Sequence, residues 1–229
     1  MPVEGVDVAV NEPMNSSSEP ESAHSEIIDG IAAQFGPVES LALQEIVPVD
    51  DETHIAVNVV RPNEESGYLT IFTSGMSDRP MTVPTGREDY KYAELVMFLP
   101  ASWTIPTRND SDESSLWPFQ WLRNIAYYPH QADTWLGGPH TIIASDDPPV
   151  PLGPGTNQSC LFLAADYAEW SPMKLNDGRT IHFYTVMPIF TDERDFEVAH
   201  GVDALIERFQ TRGITPIVWL DRPSVADDV

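Results

Sequence analysis

Two segments of the 229-residue sequence, Ser159 to Ala165 and Arg179 to Phe190, are apolar on both faces. A strand packed on one side alternates apolar and polar residues; one that is apolar throughout needs cover on each side. Both segments therefore read as central strands with something packed above and below. The 21 prolines against 13 glycines point the same way, to strands and shaped loops rather than a helical bundle.

The other elements fall in place around these strands. Ile27, Ile28, Ile31 and Phe35 share a helical face, and Gly36-Pro37 stops that helix. A strand is expected through Leu41, Leu43 and Ile46. Ile55, Val57 and Val59 alternate as a half-buried strand, and Tyr68 to Thr73 returns beside it as a hairpin. Glu94 to Leu99 reads as a strand bounded by Pro100, and residues 104–115 as a polar loop. A helix is expected from Leu116 to Tyr128, with Trp117, Trp121, Ile125 and Tyr128 on one side and Pro118 in its first turn. Residues 144–158 read as an irregular loop. Asn176-Asp177-Gly178 marks a tight turn. One helix is expected after Thr191, with Val202, Leu205, Ile206 and Phe209 as its later apolar face and Gly213 closing it. A short strand, Thr215 to Trp219, follows. The sum is an α+β fold: a single mixed-sheet domain with flanking helices over residues 25–223. An acidic leader, residues 1–24, and an acidic tail, residues 224–229, lie outside it.

Charge narrows the function classes. The chain carries 36 acidic and 12 basic residues, a net charge of -24, and residues 1–60 hold 12 acids with no Lys or Arg. A nucleic-acid binder driven by phosphate contacts is excluded on this balance. No run approaches the ~20 apolar residues of a membrane helix, and no basic and apolar leader marks secretion. The single cysteine, Cys160, forbids an intrachain disulfide and fits a cytoplasmic protein.

Linear catalytic motifs are absent: no phosphate loop, no nucleophile elbow, no paired-cysteine metal motif. Two weaker constellations remain. His130, Asp133, His140 and His182 together form the alternative of a metal-dependent enzyme, although their spacing matches no compact metal motif and loop anchoring by hydrogen bonds explains them more simply. Cys160 and His182 can be drawn as a nucleophile and base, but Cys160 opens an apolar run where cysteine behaves as an inert hydrophobe. No cofactor is expected. Trp135 lies among loop residues, Asp133-Thr134-Trp135-Leu136-Gly137-Gly138, where tryptophan serves either as an interface anchor or as a plug for the core.

Several strings resemble the suppressor-of-fused (SUFU-like) domain family in its bacterial form. They are Val57 to Pro62, Thr73-Ser74-Gly75-Met76-Ser77-Asp78-Arg79-Pro80, Tyr92 to Leu95, Trp117 to Leu122, Asp133 to Gly137, His140-Thr141-Ile142, His182-Phe183-Tyr184, Glu197 to Arg208 and Asp221-Arg222-Pro223. The resemblance implies a mixed α+β domain that binds protein partners and is no enzyme. Animal members bind zinc-finger transcription factors, in part by taking up an extended peptide as an added strand; they carry a second, C-terminal lobe for which this chain is too short. Bacterial members are regarded as immunity proteins against toxins, and an acidic chain suits a basic toxin. The resulting expectation is a protein partner, a basic toxin, met at Asp133, Thr134, Trp135, Leu136 and Gly137. A structural role is expected for Ser74, Gly75, Met76, Ser77, Asp78 and Arg79, with a positive φ at Gly75.

Overall fold

The computed structural model describes residues 23–41, 54–64, 66–107, 113–138, 140–164 and 171–226. Residues 1–22 of the expected leader and 227–229 of the expected tail lie outside these residues, as do Leu43 and Ile46, whereas Ala23 and His24 open α1 and Val225 is buried in the core.

The order of elements is α1 (Ala23–Phe35), β1 (Val38–Leu41), β2 (Ala56–Val60), β3 (Tyr68–Ser74), β4 (Ala93–Pro100), α2 (Glu113–Gln131), β5 (Ile142–Ala144), β6 (Cys160–Ala164), β7 (Met173–Lys174), β8 (Thr180–Ile189), α3 (Thr191–His200) and α4 (Val202–Thr211). One sheet runs β1-β2-β3-β4-β8-β6-β5, with the short β7 also paired to β8. β4 and β8 are parallel, Ala93 facing His182, and the other pairs are antiparallel.

Helices cover both faces, which is why the central strands are apolar throughout. On one face α2 sets Leu122, Ile125 and Ala126 against Ile71, Leu95, Leu99, Tyr184 and Val186. On the other, α1 buries Ile27 and Ile31 against Phe72, Val96, Phe98 and Phe183. Farther along that second face, Leu205 and Phe209 of α4 close over Cys160, Phe162, Met187 and Ile189. β2 is not half-buried as its alternation suggests: Val59 packs on the α2 side and Val60 on the α1 side.

Three other expectations change. α2 extends from Glu113 to Gln131, so Pro118 and Pro129 both lie inside it; a proline removes one main-chain bond, and a helix of this length packed on the sheet tolerates the loss. The helix expected after Thr191 is two, broken at Gly201 with φ of 88°. The expected strand Thr215 to Trp219 is reduced to a bridge between Ile217 and Phe98, with Val218 N–H donating to Phe98 O at 2.9 Å.

Candidate partner-binding site

Strand order decides what lies at the edge of the sheet. β5 pairs with β6 on one side and with no strand on the other among the described residues. Ser145 N–H donates to Ser159 O at 3.0 Å. The alternation of an antiparallel ladder then turns the main-chain N–H and C=O of Ile142 and Ala144 away from β6, toward the open edge.

The loop carrying Trp135 is braced beside this edge. Past the end of α2, Thr134 N–H donates to Pro129 O at 3.0 Å. Asp133 takes a left-handed conformation, φ 48°, and accepts a 2.5 Å bond from the Thr82 hydroxyl, while Thr82 N–H donates to Thr134 O at 3.1 Å. Leu136 is buried in the core and Trp135 is partly buried against it. Gly137 has φ of 80°, and a Cβ there would stand 2.5 Å from Thr141 Oγ1, so no larger residue fits without rearrangement.

Between this loop, β5 and α2 lies an apolar groove of about 480 Å³. Trp121, Ile125 and Tyr128 form its helix wall, Trp135 and Leu136 its loop wall, and Ile142 and Ile143 its edge. Tyr128 is 53% exposed at the rim. The helix-side residues recur at i, i+4 and i+7. That periodicity reads as core in the sequence; Ile125 is core and Trp121 packs against it, while Tyr128 stands out at the rim. No Lys or Arg occurs between Arg123 and Lys174, a stretch with five acids that supplies the loop and edge walls of the groove.

The Ser74–Arg79 segment forms a second, internal cluster. Gly75 has φ of 102°, and a Cβ on it would meet His54 O at 2.1 Å. This turn wraps the fully buried carboxylate of Glu94. Gly75 N–H, Ser77 N–H and the Ser77 hydroxyl donate to Oε1 at 3.0, 2.9 and 2.6 Å, and the Thr73 hydroxyl donates to Oε2 at 2.7 Å. Burial nonetheless pushes the Glu94 carboxyl up to about 7, against the pull of those donors. Around the cage, the Asn58 amide donates to Ser74 Oγ at 2.7 Å, and His24 Nδ1 lies 2.8 Å from the same hydroxyl. Desolvation raises the Asp78 carboxyl in spite of nearby Arg179 and His24. Glu94 was not singled out in the sequence, although an acid inside the apolar run Ala93 to Leu99 is a signal that donors must surround it.

The histidines do not form one site. His130 Nε2 bonds Met76 O at 2.9 Å, Asp133 faces Thr82, His140 stacks on Phe162 with centroids 5.7 Å apart, and His182 lies against Tyr90 at 5.4 Å. Among the described residues no three His, Cys, Asp or Glu side chains are placed to hold a metal. Cys160 and His182 are also apart: Cys160 pairs with Ile189, seven residues along β8 from His182 and so roughly 20 Å away at strand spacing. Desolvation raises the buried Cys160 thiol, the opposite of what activates a nucleophile.

The family model for suppressor of fused protein matches residues 51–223, a span that holds the groove, the Trp135 loop and the Glu94 cage. The chain belongs to the suppressor of fused family. Solved structures share its fold. The suppressor of fused homolog of Neisseria gonorrhoeae aligns over 90% of this chain and 98% of its own, with 15% identity and a TM-score of 0.62. A chain of the Sufu-Fu complex aligns over 90% and 93%, with 16% identity and a TM-score of 0.61. Drosophila Suppressor of Fused gives 15% identity and a TM-score of 0.57, over 91% of this chain and 54% of that one. Among curated proteins no sequence matches. No helix among the described residues of this family member is long and apolar enough to cross a membrane.

Proposed function

We propose that this suppressor of fused family member is a non-enzymatic binding module that holds a protein partner in the groove beside β5. The observation that carries this reading is the apolar groove itself. It is walled by the braced Trp135 and the exposed Tyr128 and opens onto main-chain groups of an edge strand that no strand among the described residues pairs. Rigid aromatic side chains give contact area at low entropic cost. An open edge takes an extended segment by strand addition. A chain of the Sufu-Fu complex shares the fold, which supports a protein as the ligand class.

The partner proposed is basic, a toxin domain neutralised in the cytoplasm. The net charge of -24 and the run from Arg123 to Lys174 without another cation support it, since an acidic inhibitor gains association rate against a basic target. The test is kinetic, with purified products of the neighbouring genes as analytes. Association with a basic partner should slow as salt rises from 0.1 to 1 M, where the Debye length falls from ~10 to ~3 Å. Salt-independent association removes the charge argument and leaves the groove to be judged separately.

A further inference from the structure

A second groove, polar and of about 650 Å³, lies on the far side of the 76–92 connection, between residues 88–92 and the β7–β8 turn. Its lining carries two cations, Lys91 and Arg179, and three acids, Glu88, Asp89 and Asp177, within segments less acidic than the rest of the molecule. Residues 76–92 and 173–182 hold five of the 12 Lys and Arg residues, including both lysines, and only four of the 36 acids.

Two cations converge on one ring here. Lys91 Nζ stands 5.2 Å and Arg179 Cζ 5.4 Å from the Tyr92 centroid. Arg179 is held in place: Nε donates to Asp177 Oδ2 at 2.5 Å and Nη1 to Ser77 O at 2.8 Å, which leaves Nη2 without a bond among the described residues. Lys91 makes no ion pair among them. Thr180 and His182 line the groove from one face of β8, and Lys174, paired with Thr180 in register, stands on that face.

Two of the acids at the site have partners there: Asp177 is bonded to Arg179 itself, and the charge of Lys91 helps to lower Glu88. Asp177 accepts Arg179 N–H at 2.9 Å as well as its guanidinium, and those bonds hold its carboxyl low. Glu88 accepts Gly86 N–H at 3.0 Å, which lowers it likewise. Asp89 lies at the exposed rim, and Asp78 stands behind Arg179.

We infer that this groove is a binding site for an anionic oxygen group, a phosphate ester or a carboxylate. Lys91 and Arg179 Nη2 are its donors, and Tyr90, Tyr92 and His182 its walls. A pre-oriented guanidinium and a lysine ammonium lining one groove can together hold phosphate or carboxylate oxygens.

The test is titration of the full chain with inorganic phosphate and, separately, with acetate, read from the amide signals of Lys91, Gly178 and Arg179. Saturable shifts at these amides are expected, at least tenfold weaker in Lys91→Met and retained in Lys91→Arg. Arg61→Met, at the opposite edge of the sheet, should bind as the parent does. Preference for phosphate over acetate assigns a phosphate ester, and the reverse assigns a carboxylate. Absence of saturable shifts, or equal affinity in Lys91→Met and the parent, overturns the site. An equal loss in Arg61→Met does so too, because it reduces the effect to general charge.

Discussion

Arg222 grips the carboxylate of Glu193 at both oxygens, Nη1 to Oε1 at 2.6 Å and Nη2 to Oε2 at 2.7 Å, with both side chains buried. The pair closes the domain. Glu193 also accepts Phe190 N–H at 3.0 Å, the start of α3, and Val225 N–H at 2.9 Å, and Arg222 Nη2 reaches Pro188 O at 3.2 Å. Residues 222–225 are thereby tied to α3 and the end of β8. Removing one member leaves the other charged and buried, a loss of about 3–5 kcal/mol. Arg222→Met should lower the melting temperature by at least ~6 °C, and Glu193→Met/Arg222→Met should recover part of that loss. Calorimetry of the three variants checks this, and a loss under ~1 kcal/mol in the single variant contradicts it.

Glu94 makes stability depend on pH. Its folded pKa of about 7 lies above its ordinary value of 4.5. The protonated form therefore favours the fold, fully below about 4.5, and the benefit is lost as pH rises through about 7. The difference is worth about 3 kcal/mol. In Glu94→Gln the amide oxygen keeps the three donors at Oε1, while its NH₂ faces Thr73 Oγ1 as a protonated carboxyl does. Denaturant unfolding from pH 5 to 8 should show the parent losing stability relative to Glu94→Gln. Parallel pH profiles contradict the assignment.

Gly75→Ala should destabilise the fold by more than ~1 kcal/mol, since the backbone is left-handed and a Cβ collides with the His54 carbonyl. Gly86→Ala, also at positive φ but with open space around its Cβ, isolates the conformational part of the cost. Equal losses in the two variants contradict a role for the collision.

The two-sided strands β6 and β8, the β2–β3 hairpin and the turn at Asp177-Gly178 were legible because their signals are local: uniform apolarity, alternation, turn residues. The split between α3 and α4 was not, since a single glycine, Gly201, carries no local signal that separates a break from a tolerated helix interior. Nor was the groove. Trp121 and Ile125 read as core and pack there, but the same periodicity does not tell that Tyr128 is exposed, and only the strand order that puts β5 at the edge shows the groove. Glu94 and Glu193 were readable as acids near strand and helix signals. Their donors, Ser77 and Arg222, lie 17 and 29 residues away, and the fold alone brings them together.

Strand addition at β5 has its own consequence. Ala144→Pro removes an N–H that faces the open edge and breaks no bond to β6, so the fold should persist. Partner binding should weaken about tenfold or more. Unchanged binding, with the fold intact by circular dichroism, takes the edge out of the interface.

The most direct measurement is the dissociation rate of the partner complex for Trp135→Ala beside Trp135→Phe, with melting temperatures of the free proteins. Trp135 is partly buried and forms one wall of the groove. Truncation at an interface anchor costs about 2 kcal/mol or more, roughly 30-fold in rate. The expected result is that faster dissociation in Trp135→Ala, largely restored in Trp135→Phe, with a melting temperature within a few degrees of the parent. Dissociation at the parent rate from folded Trp135→Ala would contradict the assignment of the groove as the partner site.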